Sequence, residues 1–408
     1  MINLSIRSQT DPWSLSSMLA FTIRVAKRMG MHDESSYARY TFLEAESRRR
    51  LWWSLIILDH RICEISDYKI TTLTPTWDCR TPSNVNDFEI RSETKNSPVS
   101  YGKPTEAIFI AVRSELADFI RHSAFHLNFI NPSLNAIVQS KDSGNPSAIT
   151  GRNLAALEKS IHDRYLAFCD PAYPLHFLTI WMTRGYFARY RLLEYYAKHS
   201  KSPSPQTEQE RNAALSNALT MLESDTKLRT SPLIKGYLWL VDHYIPALAC
   251  IHILNDLRKR PAAEYAQTSW DALSTNYEIR ISQMTPQGAP AFFARAVLQA
   301  WGAREVLLKQ ENKTPQPPLI VSAIRNKMMQ KNPHNSNADK TGDSVDPNAT
   351  SYSMPIAAGL GGQGTRERLF TDADHGSYLD LSENTIMDLD EDQFWATIDW
   401  NLMHTQGW

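Results

Sequence analysis

Several residue sets in this 408-residue chain could in principle do chemistry, and their spacing argues against most of it. The run Asp388-Leu-Asp390-Glu391-Asp392 has the composition of a divalent-cation motif. Such motifs work from rigid helices around a deep pocket, with a second metal site opposite, whereas this one lies in an acidic tail. Gly359, Gly361 and Gly364 share the glycine spacing of a dinucleotide loop, but no strand precedes them and no βαβ unit surrounds them. The twelve histidines include no His-Glu-x-x-His, and there is no Gly-x-Ser-x-Gly elbow. The four cysteines, Cys63, Cys79, Cys169 and Cys250, are too widely spaced for a chelating Cys-x2-Cys pair. With no paired catalytic constellation the chain is read as not an enzyme, and an all-α enzyme stays as the remaining alternative class.

Charge and aromatic area converge instead on Glu44 to Asp59, where Arg48, Arg49 and Arg50 run into Trp52 and Trp53. A helix reconciles the two. Leu51, Leu55, Leu58 and Ile62 then share an apolar face, and Trp52, Ile56 and Asp59 lie along another line. Glu44 precedes Arg48 by four residues and Glu46 precedes Arg50 by four, the favourable acid-first order. A triple arginine can mark nucleic-acid contact or nuclear import. The paired glutamates and neighbouring tryptophans favour a structural role, with arginine stacked on tryptophan or paired with carboxylate in a helical core. Arg258, Lys259 and Arg260 form a short basic cluster open to either reading, import signal or helix C-terminus.

Two further groups bear on binding. Trp181, Tyr186, Phe187, Tyr190, Tyr195 and Tyr196 fall in one predicted helix, and Tyr237, Trp239, His243 and Tyr244 in another. Most of these are core by type; a ligand pocket formed by Trp181, Tyr186, Tyr190, Trp239 and His243 is the sharper alternative. At the C-terminus Phe394, Trp395, Ile398 and Trp400 alternate with Asp390, Asp392 and Asp399. Alternating acids and aromatics mark an activation segment: charge repulsion keeps the aromatics apart until a partner groove buries them. The competing reading is a terminal helix docked on its own domain.

The elements that must position these residues are helical. The patterns predict helices over about 12–29, 40–63, 104–130, 151–168, 174–199, 206–229, 232–258, 262–283 and 289–309, with an extended segment over 66–98 and a loop over 131–150. From 311 to 364 the composition turns to Asn, Pro, Gly, Lys and Ser, with one short helical candidate at 318–330. The fold class is therefore all-α: a multi-helix domain over residues 1–310, a disordered linker over 311–370 and an acidic-aromatic tail over 371–408. That tail holds nine acids and no Lys or Arg, leaving 43 basic against 35 acidic residues in the rest. The most apolar stretch, Tyr237 to Leu254, is too short and polar to span a bilayer, so no membrane partner is expected. The start of the chain lacks the apolar core of a signal peptide, and sparse cysteines point to a reducing compartment.

The order of motifs over about residues 13–90 resembles the middle homology region of fungal binuclear zinc-cluster transcription factors. That pattern is an Ala-rich helix ending in Gly-Leu-His, a Glu-x-Arg-Arg-Arg-x-Trp-Trp-x5-Asp helix, and an extended segment near Pro-x-Asn-x-Asp. Gly30, His32, Glu46, Arg48, Arg49, Arg50, Trp52, Trp53, Asp59, Pro82, Asn86 and Asp87 match it, with Met31 replacing the leucine. The resemblance implies a nuclear, pathway-specific transcription regulator of secondary-metabolite or nutrient genes, whose middle domain holds or exposes an activating tail. Its partners would be the transcription machinery or co-activators, and a related factor as homo- or heterodimer. The family's six-cysteine, two-zinc DNA-binding module is absent from these residues, so zinc and direct DNA contact are expected only from such a module beyond them. Two explanations stay open: a natural short form, acting as co-regulator or dominant-negative partner, or an incomplete gene sequence.

Overall fold

The computed structural model describes residues 12–65, 76–90, 103–122, 153–200, 206–241, 244, 246–283 and 291–331. Among them the fold is all-α, with no strand. The chain divides into two compact units at residue 325/326. The described part of the second, Asn326–Thr397, is only the end of the last helix. The expected tail residues Asp390, Asp392, Phe394, Trp395, Ile398, Asp399 and Trp400 lie outside the described residues, as do His243 and most of the 311–370 segment.

The first layer is built by α1 (Pro12–Arg28), α2 (Phe42–Ile65) and α3 (Ile108–His122). Helix α1 buries Leu15, Leu19, Ile23 and Ala26, a run at i, i+4, i+8 and i+11. It stops at Gly30, which takes φ +72°, a conformation costly for residues with a Cβ. The Gly30 and Met31 N–H groups return to the Lys27 and Ala26 carbonyls at 2.9 and 3.1 Å, the Schellman pairing. Met31 is thereby turned into the core, where a thioether substitutes readily for leucine. The buried cluster then joins Tyr37, Ala45, Trp52, Trp53, Leu55, Ile56, Ile62, Trp77 and Cys79.

The buried face of α2 is wider than the aliphatic line. Of the predicted face, Leu55 and Ile62 are buried in the core and Leu58 packs against it, while Leu51 is 48% exposed. Ala45, Arg49, Trp52, Ile56 and Asp59, at i, i+4, i+7, i+11 and i+14, are also buried. The indoles widen the face, because each covers far more area than a leucine.

The second half is organised by α6 (Glu208–Thr230), which packs on α5 (Pro174–Ser200), α8 (Ala247–Lys259) and α9 (Ala266–Gln283). Its start is a capping box: Thr207 accepts from the Glu210 N–H at 3.2 Å, and Glu210 accepts from the Thr207 N–H at 3.0 Å. Where α5 and α6 cross, a Cβ on Gly185 would stand 3.3 Å from the Ser224 Cβ, so a larger residue would push the helices apart. Helix α4 (Leu154–Arg164) lies before α5, and Asn153 caps it through the Ala155 N–H.

Three boundaries differ from expectation. The helix predicted over 232–258 is broken into a 3₁₀ segment Pro232–Tyr237, a single turn α7 (Leu238–Val241) and α8. Pro246 interrupts it: lacking an N–H it cannot continue a helix, and its carbonyl instead accepts from the Cys250 N–H to open α8. The helix expected from 104 begins at Ile108, because Thr105 caps its first turn through the Ala107 N–H. The packed region also does not end at 310. After α10 (Ala291–Gln310) comes α11 (Leu319–Lys331), whose Ile320, Val321 and Ile324 are buried, so the stretch from 319 to 325 belongs to the domain and not to a linker.

Two buried polar groups anchor this half. The Asp225 carboxylate accepts from Arg280 at 2.7 and 3.1 Å, from Arg229 at 3.3 Å and from Asn276 at 2.8 Å, all three ionic side chains being buried. On α8, His252 shares a 2.6 Å hydrogen bond with the Tyr196 hydroxyl, and burial pulls its pKa down to about 4. Asp225→Ala leaves two buried arginines without their carboxylate and should cost about 3–5 kcal/mol in urea unfolding at unchanged m; a loss below about 1 kcal/mol would show the cluster to be dispensable. For His252 the unfolded state binds the proton more readily, so stability should fall as pH drops from about 6.5 to 4 and then level off. Unfolding curves at stepped pH should lose that component in His252→Gln.

Candidate functional site

The three arginines of α2 each reach a different neighbour, because successive helical positions point about 100° apart. Arg48 donates to Glu44 at 3.1 Å, as the i, i+4 spacing predicts, and to the Met29 carbonyl at 3.3 Å, where α1 ends. Its guanidinium lies 3.9 Å from the Tyr40 ring centroid. Arg49 points inward and donates to Glu34 at 2.5 and 3.3 Å, with Tyr37 beneath it at 4.9 Å. Arg50 donates to Asp87 at 2.6 Å and to the Val85 carbonyl at 3.1 Å. All three arginines are thus engaged by carboxylates or backbone carbonyls, and the rings stacked on Arg48 and Arg49 are tyrosines, not tryptophans.

Glu46 lies between Arg49 and Arg50 and is fully buried. It faces Arg50 at 3.4 Å and Arg49 at 3.7 Å, and it accepts from the Ser83 N–H at 2.9 Å. Burial raises its pKa, partly offset by Arg50, the Ser83 N–H and Arg49. Glu34 behaves oppositely. Burial works to raise it, but the hydrogen bonds from Arg49 and from the Arg80 backbone and side chain hold it below the usual carboxylate value. Three acids, Glu34, Glu46 and Asp87, and three cations, Arg49, Arg50 and Arg80, thus tie together α2, the 3₁₀ turn Glu34–Arg39 and the segment from Arg80 to Asp87.

The tryptophans complete the lock. Trp53 donates from Nε1 to the Arg80 carbonyl at 2.8 Å. Trp77 meets Trp52 and Trp53 edge-on, with centroids at 6.2 and 6.3 Å, and His32 lies 6.0 Å from Trp52. Pro82 is buried, as is Asp59 on α2. Asn86 accepts from the Glu106 N–H at 3.1 Å, while the Asp87 N–H donates to the Glu106 carboxylate, so the extended segment is stitched onto the entry to α3. Asn84 adds bonds to the Lys103 carbonyl and Thr105. All twelve motif residues therefore lie in one structural unit, a clasp. The partners that sequence reasoning missed, Glu34, Tyr37, Tyr40, Trp77 and Arg80, are distant in the chain, and only their type signalled them.

The aromatic residues expected to share a pocket are divided between two cavities. Trp239 lines one of about 270 Å³, with Arg61, Arg113 and Tyr244. Trp181 and Tyr186 line a smaller one of about 70 Å³, whose wall also includes Arg61, Asp225 and Tyr244. Tyr190 lines neither; it is core, 5.9 Å from the Tyr186 ring. Among the described residues no group of three or more His, Cys, Asp or Glu is placed to hold a metal ion. Burial pushes the Cys79 and Cys250 thiols up to about 12 and Cys169 up to about 11, away from the thiolate form that binds metals. No described helix is long and apolar enough to cross a membrane.

Residues 2–124 match the model of the fungal specific transcription factor domain. The chain is similar to the transcriptional regulator nsrM of Aspergillus novofumigatus, 51% identical over 99% of this chain and 56% of that protein. It is similar at 44% identity, with the same two coverages, to the transcriptional regulator AacuB of Aspergillus aculeatus. The aurofusarin cluster transcription factor aurR2 of Gibberella zeae is 26% identical over 74% of this chain and 44% of its own length. The chain thus spans 56% of the length of the first two relatives. No solved structure matches it.

If the clasp depends on buried charge, its arginines are unequal. Arg49→Met removes the buried cation that Glu34 and Glu46 share, leaving Glu34 to Arg80 and Glu46 to Arg50 and the Ser83 N–H, and should cost about 3 kcal/mol, whereas Arg48→Ala, whose Glu44 partner is exposed, should cost under about 1 kcal/mol. Urea midpoints compare the two, and equal losses would refute the buried-network account.

Proposed function

We propose that this chain is the regulatory and activating part of a nuclear, pathway-specific transcription regulator. What carries the reading is that two proteins named transcriptional regulators align with 99% of the chain at 51% and 44% identity. The helical domain is the regulatory part, and the acidic-aromatic segment at 371–408 is the activating part. A relative named for the aurofusarin cluster and another for pyriculol/pyriculariol biosynthesis favour control of a secondary-metabolite gene cluster. No catalytic role is assigned.

The division of labour follows from the residues. Arg48, Arg49 and Arg50 are occupied by Glu44, Glu34, Asp87 and backbone carbonyls, so this basic run is not the DNA-reading surface. DNA contact falls to a zinc cluster that these four cysteines do not supply, carried by another segment or by a partner factor, homodimeric or heterodimeric. The domain needs no cofactor of its own. Trp395 and Trp400, set among Asp390, Asp392 and Asp399, suit an apolar groove rimmed with cations on a co-activator or on the transcription machinery.

Fused to a heterologous DNA-binding domain, residues 365–408 should activate a reporter. Replacing Trp395 and Trp400 by Ala should lower that output by about fivefold or more, as loss of aromatic anchors does elsewhere. An inert fusion, or one indifferent to both tryptophans, would overturn the assignment of the tail.

A further inference from the structure

The cavity of about 270 Å³ lies where α2, α3 and α5 meet the short helix α7. Its floor is aliphatic: Leu15 of α1, Ile62 of α2 and Leu178 of α5 are buried, and Leu58 and Ile110 are half-buried. Its mouth is aromatic, bordered by half-buried Tyr237 and by Trp239, which is 41% exposed. Among the described residues neither the Tyr237 hydroxyl nor the Trp239 indole N–H finds an acceptor. The two arginines in the lining do not invite an anion. Arg113 donates to the Tyr244 hydroxyl at 3.2 Å and lies 3.7 Å from the Tyr186 ring centroid, and Arg61 faces the Tyr244 ring at 5.1 Å. Both have further partners within the protein. With these cations engaged and no acid among the described lining residues, no charge is left waiting for a ligand.

We propose that this cavity is a binding site for an uncharged aromatic ketone of about two fused rings, its rings on the aliphatic floor and its carbonyl oxygen at the mouth. An apolar cavity of about 150 Å³ admits one benzene ring, and nearly twice that volume admits two. On the floor a charged or hydroxyl-rich occupant would lose its water and gain no partner, which excludes it. An apolar occupant instead gains dispersion contacts with every wall. Tyr237 and Trp239 each offer a ring face and one donor, the combination that suits a carbonyl on an aromatic ring. The site goes beyond the reading of the chain as a transcription regulator. It would give the domain a chemical input, since its walls come from α2, which carries the clasp, and from α5 and α7 in the other half.

The test is equilibrium dialysis of the full chain against 2-acetylnaphthalene and against 2-naphthoate, an anion of matching size. The ketone should bind at least about tenfold tighter than the acid, whose carboxylate gives up its water and meets no free cation. Tyr237→Phe and Trp239→Phe together keep both rings, remove both donors and should weaken the ketone by about fivefold. Leu58→Trp, which fills the cavity from a half-buried position, should weaken it by about tenfold, circular dichroism verifying that the helices persist. Acid bound as tightly as ketone, no ketone bound at millimolar concentration, a double variant that binds the ketone as the unaltered chain does, or full binding by a folded Leu58→Trp would each overturn the proposal. A failed dialysis leaves the tail reading standing, because the reporter fusion contains none of these residues.

Discussion

The carboxylate of Glu46 is the constraint around which the first half of the protein is arranged. A fully buried acid is tolerable only if cations and N–H groups surround it, since each unpaired buried charge costs several kcal/mol. Arg49 and Arg50 are supplied by the same helix, one on either side. The remaining acceptor capacity draws in the Ser83 N–H from a segment 37 residues away. Once Ser83 is fixed, Arg80 falls beside Glu34 and its carbonyl beside Trp53, and Asp87 falls beside Arg50. An extended segment with no ladder to hold it is thus given a definite path by charge. The apolar term alone would not do this, because hydrophobic attraction is non-directional.

The tryptophans explain why this arrangement is stable as well as specific. Trp52 and Trp53 bury large areas on either side of the Trp77 ring, each contributing on the order of 2–3 kcal/mol from burial. Buried ion pairs on their own are weak evidence for stability. Here the indoles provide the driving force and the charged groups provide register: sliding α2 by one residue would place Arg50 where Glu34 waits and expel Glu46. The spacing Glu-x-Arg-Arg-Arg-x-Trp-Trp therefore encodes a single solution.

Much of this was legible in the sequence where partners are local. The Glu44–Arg48 and Glu46–Arg50 pairs, the stop at Gly30 and the start of α1 at Pro12 follow from i, i+4 spacing and backbone preference, and each is present. The orientation of α2 was legible only in part. Leu55 and Ile62 are buried as the apolar spacing predicts, but the same helix also turns Glu46, Arg49 and Asp59 inward and Leu51 outward, which apolar periodicity does not read. The pocket residues failed for a related reason. Trp181 and Trp239 share a stripe pattern, but they lie on different helices, α5 and the short α7, and line different cavities. Tyr37, Trp77 and Arg80 gave no local signal, since their roles exist only after long-range closure.

Tyr244 carries the two halves of the domain into contact. Its hydroxyl accepts from Arg113 of α3, its ring faces Arg61 of α2, and its edge meets Tyr186 of α5 at 5.5 Å. Its backbone carbonyl lies 3.4 Å from Arg280 of α9, which in turn holds Asp225 of α6. A single residue just before the break at Pro246 thus touches the helix of the clasp, the wall of the larger cavity and the buried ionic cluster of the second half. Packed interiors shift between discrete arrangements and do not deform smoothly. A displacement of Arg61 or Arg113 would therefore move Tyr244, and with it the Arg280–Asp225 pair that joins α9 to α6.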